Sequence, residues 1–540
     1  MKKTIFAVLT FLLTFLYAQK PAQDWYLLDP EQDKVNGISV ERTYKELLKD
    51  RKSTPVIVGV LDSGVDYFHE DLKNIMWTNP KEIPNNGIDD DKNGFIDDIH
   101  GWSFIGGKDG KNIDKDNIEL TRIYRKLKPK YEGKTEADFK TKEEQEEYKY
   151  YQKIKQDYNA ELMEAEMNNN AINNIKIAID SVIYYIGKDH LSIERVKQFE
   201  PKTQKTQQGK YVLLSILSKS DDVNKKSGQE LVDDLYKHFN KGLDYYNTKL
   251  KYHLNVEFDP RAEIVGDDYA NSSEHFYGNN DCKGPDSFHG THVSGIIAAD
   301  RTNNIGIKGI ADNVRIMSVR CVPDGDERDK DIANAIIYAV DNGAKILNMS
   351  FGKKYSWDKK AVDNAVKYAE KKGVLLIHAA GNESLDIDQI THYPCKKFEN
   401  SKKEASNFID IGALSWKDSI NIPATFSNYG KNTVNFFAPG VDIYSTIPEG
   451  KYEFASGTSM AAPVVAGVAA VLKSYFPDLT PKQIKTILIE TCRTKYKNKK
   501  VIKPGTKDNL VEFKELSKTG GIVNMYDAVK MAMKMSKIKG

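Results

Sequence analysis

At 540 residues the chain is too long for one compact core, so a large domain with an addition is expected. Its 79 Lys and Arg nearly balance 77 Asp and Glu, for a net charge of +2, which excludes a polybasic grip on nucleic acid or on a membrane surface. Four cysteines are too few for a disulfide framework; Cys282, Cys321, Cys395 and Cys492 are as consistent with buried thiols as with one bridge.

The amino terminus reads Met1-Lys2-Lys3, an apolar run from Ile5 to Tyr17, then Ala18-Gln19. That order is a signal peptide over 1–18, since the 13-residue run falls short of the ~20 a membrane span needs. No later segment is expected to span a membrane, so the protein is expected to be secreted or periplasmic. Residues 19–52 form an amino-terminal segment whose amphipathic piece, Val40 to Leu48, is expected to lie across the main domain.

The first part of that domain spans 53–107. Pro55 to Leu61 is a continuous apolar, β-branched run, as in a central parallel strand covered on both faces. It ends at Asp62-Ser63-Gly64, and carboxyl ends of parallel strands are where open α/β sheets place their sites. Downstream, Asp89, Asp91, Asn93 and Asp97 occupy positions 1, 3, 5 and 9 of a calcium-loop pattern, with Gly94 at the turn and the Phe95 carbonyl available. Position 12 is His100 rather than a glutamate, so Asp98 is the candidate to complete a shell around a structural Ca²⁺.

From 108 to 255 the composition turns to charged residues, Tyr, Asn and Gln. Ile172, Ile175, Ile179, Val182 and Ile186 fall on one helical face, with Ile154, Tyr158, Leu162 and Ala165 upstream and a second stretch from Glu230 to Leu254. This is an all-α insertion whose stripes are helix-on-helix core. It is expected to assist folding, cover a cleft or bind a protein partner.

The second part, 256–540, returns to Gly, Ala and β-branched residues. Strands at Val314 to Val319, Ala344 to Met349 and Gly373 to Ala380 alternate with helices at Asp331 to Asn342 and Lys360 to Lys372, which makes βαβ units and a mostly parallel sheet. His289-Gly290-Thr291-His292 opens a small-residue helix. The two histidines lack the spacing and the glutamate of a zinc-protease helix, so His292 is expected to be structural. Asn382 follows a strand, and Ser459, within Gly457-Thr458-Ser459-Met460-Ala461-Ala462-Pro463, opens another small-residue helix.

Serine is a poor nucleophile without a base, and an imidazole base needs an acceptor to fix its tautomer. His289 and Asp62 fill those roles for Ser459, and the Asn382 amide is a candidate oxyanion donor beside the Ser459 backbone N–H. No cofactor is required for such catalysis.

At these four segments the sequence resembles the subtilisin-like serine proteases, or subtilases. The resemblance implies a subtilisin-like three-layer α/β/α fold and endopeptidase activity on polypeptides through an acyl-enzyme. It also implies that Ser350-Phe351-Gly352 is an edge segment pairing with extended substrate. Two features depart from compact members: 227 residues separate Asp62 from His289, and only the 36 residues from Gln19 to Thr54 precede the first strand, too few for a folded inhibitory prodomain. Rival readings are a catalytically inactive binding protein acting through the insert and a serine esterase or amidase; the latter commonly carries Gly-x-Ser-x-Gly, whereas Ala461 stands here at the second glycine.

Overall fold

The computed structural model describes residues 21–218 and 225–538; the signal-peptide reading lies outside them. The chain forms two compact units, an α/β unit from Pro21–Glu119 and Asp259 onward, and a helical unit from Leu120–Phe258.

The α/β unit is built on a seven-stranded sheet. Its strands are β1 (Val56–Asp62), β2 (Gly101–Ser103), β3 (Val314–Arg320), β4 (Ile346–Met349), β5 (Leu375–Ala379), β6 (Phe408–Leu414) and β7 (Phe436–Pro439), in the order β2-β3-β1-β4-β5-β6-β7. All neighbours are parallel, and β1 pairs with β3 and β4 on its two sides. Its continuous apolar run follows from burial on both faces. Val58 and Val60 join the core formed with Val293 and Ile296 of the Phe288–Ala298 helix and Val464 and Val468 of the Thr458–Tyr475 helix. Leu61 joins the opposite core, with Ile332 and Ile336 of the Asp329–Asp341 helix and Val362 and Val366 of the Lys359–Lys371 helix. Two helical layers enclosing a parallel sheet make the expected three-layer α/β/α arrangement.

The amino-terminal segment packs on this unit. Trp25, Ile38, Val40 and Leu48 enter the first core, and the Tyr44 hydroxyl donates to the Ile310 carbonyl at 2.9 Å. Thr458–Tyr475 is apolar and long enough to cross a membrane by composition alone, contrary to the expectation that no such segment follows residue 18. It is the central core helix, 83% buried, and its small residues permit close packing on the sheet.

The helical unit begins later than the composition suggests. Residues 108–119 remain with the α/β unit: the Asp116 N–H donates to the Asp324 carbonyl, and the Asp324 N–H to the Asp114 carbonyl. Arg328 clamps both the outgoing and the returning chain, with Nε 2.8 Å from Asp116 Oδ2 and Nη2 3.0 Å from Asp259 Oδ1. Asp116 and Arg328 are almost completely buried, so removing the cation would take a charge partner from a carboxylate in a low-dielectric interior. Arg328→Ala is expected to destabilise the α/β unit by about 3–5 kcal/mol, read as a lower denaturant midpoint.

Within the helical unit, Lys142–Ile186 is a single helix of 45 residues started by a Thr141–Glu144 capping box. Ile172, Ile175, Ile179 and Val182 pack against Val212, Leu213 and Leu217 of the Gln204–Leu217 helix and Leu231, Leu235 and Phe239 of the Gly228–Thr248 helix. A Cβ on Gly209 would lie 2.2 Å from the Ala178 carbonyl oxygen, so glycine there permits the close approach of these two helices.

Candidate active site

Asp62 is delivered by the last residue of β1, where strand burial leaves it 2% exposed. The chain then turns through Gly64 at φ +125°, a conformation that suits glycine, and a Cβ there would lie 2.0 Å from the Lys283 carbonyl oxygen. The Phe288–Ala298 helix brings His289 to the same place in its first turn. Gly290 permits this approach, because a Cβ on it would lie 2.1 Å from the Gly64 carbonyl oxygen. The result is a 2.7 Å contact between His289 Nδ1 and Asp62 Oδ1. A carboxylate only accepts, so Nδ1 carries the proton and Nε2 is left as the basic nitrogen. Burial opposes protonation of the ring, but the charge and hydrogen bond of Asp62 outweigh it and hold the His289 pKa above the usual imidazole value.

His292, one turn on, is fully buried, and its Nε2 lies 3.1 Å from the Ile443 and Glu453 carbonyl oxygens. These belong to a hairpin of β8 (Ile443–Ile447) and β9 (Lys451–Ala455). Burial pushes its pKa down to about 4, which suits a neutral structural brace.

Ser459 stands at the second position of the Thr458–Tyr475 helix, half-buried, where helix N–H groups lack intrahelical partners. Its hydroxyl donates to the Ser350 carbonyl oxygen at 3.0 Å. In return the Ser350 hydroxyl donates to the Ser459 carbonyl at 2.9 Å, and Asn348 Nδ2 donates to the Ser350 hydroxyl. Ser350, Asp62 and His289 line one cavity, which places the three segments around a common space. The geometry therefore brings Asp62 and His289 together directly and holds the Ser459 hydroxyl on Ser350 rather than on His289.

Asn382 follows β5 through Gly381. Its Oδ1 accepts from the Thr458 N–H at 2.9 Å and the Thr458 hydroxyl at 3.0 Å. A backbone N–H only donates, so this fixes the amide orientation and leaves Nδ2 as the outward donor beside Gly457. Of the Ser350-Phe351-Gly352 segment, the Phe351 carbonyl faces His378 Nε2 at 3.0 Å, and His378 Nδ1 is 3.0 Å from Asp410 Oδ1. That chain of contacts steadies the segment from behind.

The acidic loop adds Glu82 to two carboxylates of the linear pattern, Asp89 and Asp91. Carboxylate oxygens of Glu82, Asp89 and Asp91 lie within 4.8 Å of one another. Glu82 is drawn in because its two oxygens accept the Asp91 and Asp97 N–H groups. The Asp97 carboxylate accepts from the Asn86 and Gly87 N–H groups, and the Asn93 Oδ1 from the Phe95 N–H. Asp98 accepts from Asn79, Asn93 and the Tyr338 hydroxyl, with burial raising its pKa to about 6. All four cysteines are free thiols.

A model described as the Subtilase family matches residues 53–514. The chain belongs to the subtilase family. Over 187 residues this subtilase is 45% identical to "Thermophilic serine proteinase" of Bacillus sp. (strain AK1), covering 34% of this chain and 42% of that protein. It is 36% identical to Subtilisin DY of Bacillus licheniformis over 205 residues, covering 38% and 69%. Thermitase of Thermoactinomyces vulgaris is 38% identical over 187 residues, covering 34% and 61%. The match to the first of these thus spans less than half of that protein's length.

Sequence reasoning missed Glu82 in the subtilase's acidic loop and Arg320 beside Asp62. Arg320 ends β3 opposite Asp62 in the sheet register. A charged residue closing a buried parallel strand was the available signal.

Proposed function

We propose that the chain is a serine endopeptidase acting through an acyl-enzyme. The observation that carries this reading is the 2.7 Å Asp62–His289 contact on the same cavity as Ser350, whose carbonyl holds the Ser459 hydroxyl. Rotation about the Ser459 Cα–Cβ bond frees Oγ from Ser350 for His289 Nε2. As Oγ attacks a substrate carbonyl carbon, its proton passes to Nε2, and Asp62 stabilises the imidazolium. The new oxyanion takes hydrogen bonds from Asn382 Nδ2 and the Ser459 N–H. His289 then gives the proton to the leaving amine as the C–N bond breaks; water, deprotonated by His289, attacks the acyl carbon, and His289 returns that proton to Ser459 Oγ as the C–Oγ bond breaks.

Extended polypeptide is the proposed substrate, pairing its main chain with Ser350-Phe351-Gly352. Incubation with casein and with a small acyl ester tests this: casein cleavage with fluorophosphonate labelling supports it. Ester hydrolysis alone would make the protein an esterase, and neither activity would favour an inactive binding protein acting through the helical unit. Export through the amino-terminal run is part of the same proposal.

The acidic loop is proposed to hold a structural Ca²⁺ through Glu82, Asp89 and Asp91, whose mutual repulsion a divalent cation relieves. Ca²⁺ at 100 times its Kd would stabilise the fold by about 2.7 kcal/mol. Chelation should therefore lower the melting temperature by several degrees, and calcium should restore it. An unchanged melting curve would make the loop an acidic turn only.

A further inference from the structure

Behind the Ser350-Phe351-Gly352 segment, two apolar strands carry titratable residues that the bond-cleaving chemistry does not use. His378 of β5 and Asp410 of β6 face each other in the sheet register, 1% and 3% exposed. Burying such a pair costs desolvation that two apolar side chains would avoid, so stability alone does not account for it. The ring meets an acceptor at each nitrogen. Nδ1 lies 3.0 Å from Asp410 Oδ1, whose other oxygen has Lys396 Nζ at 3.7 Å, and Nε2 lies 3.0 Å from the Phe351 carbonyl oxygen. A carbonyl only accepts, so Nε2 carries a proton, and the Nδ1 contact needs a second one that the His378–Asp410 pair shares. The pair is thus a fixed donor aimed at one backbone oxygen.

That oxygen lies in the middle of the segment. On one side Ser350 is tied to Ser459 by two hydrogen bonds, and on the other Lys353 exchanges two backbone hydrogen bonds with Tyr393, at 2.9 and 2.8 Å. The Phe351–Gly352 peptide between them is held through His378. A trans peptide directs its N–H opposite to its C=O, so the Gly352 N–H points away from His378, and it has no backbone acceptor among the described residues. We propose that His378 is a positioning residue for extended substrate: by holding and polarising the Phe351 carbonyl, it aims and strengthens the Gly352 N–H as a donor to the substrate main chain. Asp410 fixes the ring that does this. The assignment rests on the proposed pairing of polypeptide with this segment. A small acyl ester has no main chain to pair, so the brace serves polypeptides selectively.

Hydrolysis of casein and of p-nitrophenyl acetate should be compared in the full chain, in His378→Leu and in the double variant His378→Gln/Asp410→Asn. Leucine fills the space without a donor; His378→Met, equally without one, is read in its place if leucine prevents folding. In the double variant the asparagine amide donates to the glutamine oxygen and the glutamine amide to the Phe351 carbonyl, which rebuilds both contacts without charge. His378→Leu should raise KM for casein more than it lowers kcat, and should lower kcat/KM for casein about tenfold more than for the ester, the scale of one hydrogen bond. The double variant should return that ratio close to the parent's. Both substrates report on the same folded molecules, so partial misfolding cancels in the ratio. Equal losses on casein and ester in His378→Leu, or no recovery in the double variant, would overturn the proposal. Binding of fluorescein-labelled casein to Ser459→Ala separates this from failure of the endopeptidase reading. Weaker binding when His378→Leu is added supports the brace even without cleavage, and equal binding overturns it.

Discussion

Ser459→Ala is expected to lower turnover of a peptide substrate by on the order of 10⁶ and to abolish fluorophosphonate labelling. The loss is large because Oγ is the atom that forms the acyl bond; without it His289 has no proton to accept and Asp62 no imidazolium to stabilise. In free-energy terms it is about 8 kcal/mol of barrier. A residual enhancement over water of about 10³ to 10⁴ should persist, because the oxyanion donors do not depend on Oγ. Asn382 is oriented by Thr458, and the Ser459 N–H belongs to the helix. The fold should be little affected, since the hydroxyl makes one hydrogen bond, to the Ser350 carbonyl, worth roughly 1 kcal/mol. Labelling undiminished in the alanine variant would identify another nucleophile and remove Ser459 from the mechanism.

The contrast between Asp62 and Glu82 explains what could be read from the chain alone. Asp62 ends a run of buried residues, and both its strand and its position at the strand's carboxyl end follow from local pattern. Gly290 was legible as part of a motif, but its reason, a 2.1 Å conflict with the Gly64 carbonyl, appears only when segments 226 residues apart meet. Glu82 carries no local signal: it lies upstream of the loop and is recruited by two N–H groups, those of Asp91 and Asp97.

Segment boundaries behaved in the same way. The Ile172 stripe identified a helix because its periodicity is local, whereas residues 108–119 are polar in composition and are fixed by distant partners such as Arg328. The three-residue strand β2 and the β8–β9 hairpin also escaped notice. The first is too short for a pattern, and it exists through its pairing with β3. The second carries a half-exposed strand, Lys451–Ala455, whose polar residues weaken the apolar signal.

Asp62→Asn is expected to reduce kcat by about 10⁴ while leaving binding of extended peptides largely intact. The reason lies in donors and acceptors. A carboxylate accepts from Nδ1–H and so keeps Nε2 free to take the serine proton. An asparagine whose amide nitrogen faces Nδ1 donates instead, which drives the proton to Nε2 and presents Ser459 with a nitrogen that cannot act as base. The pH profile should move as well. In the parent, burial disfavours the imidazolium and Asp62 overcomes that penalty, so the folded pKa lies above the ordinary value of about 6.5. Activity requires the neutral ring and is expected to fall as pH drops through that raised value. In the variant the Asp62 charge is gone and only Asp286 is left to oppose burial, so the residual acidic limb should shift to lower pH. Measuring kcat/KM from pH 5 to 9 for both proteins checks the sign: an acidic limb at the same pH in each would mean that Asp62 does not set the titration of His289.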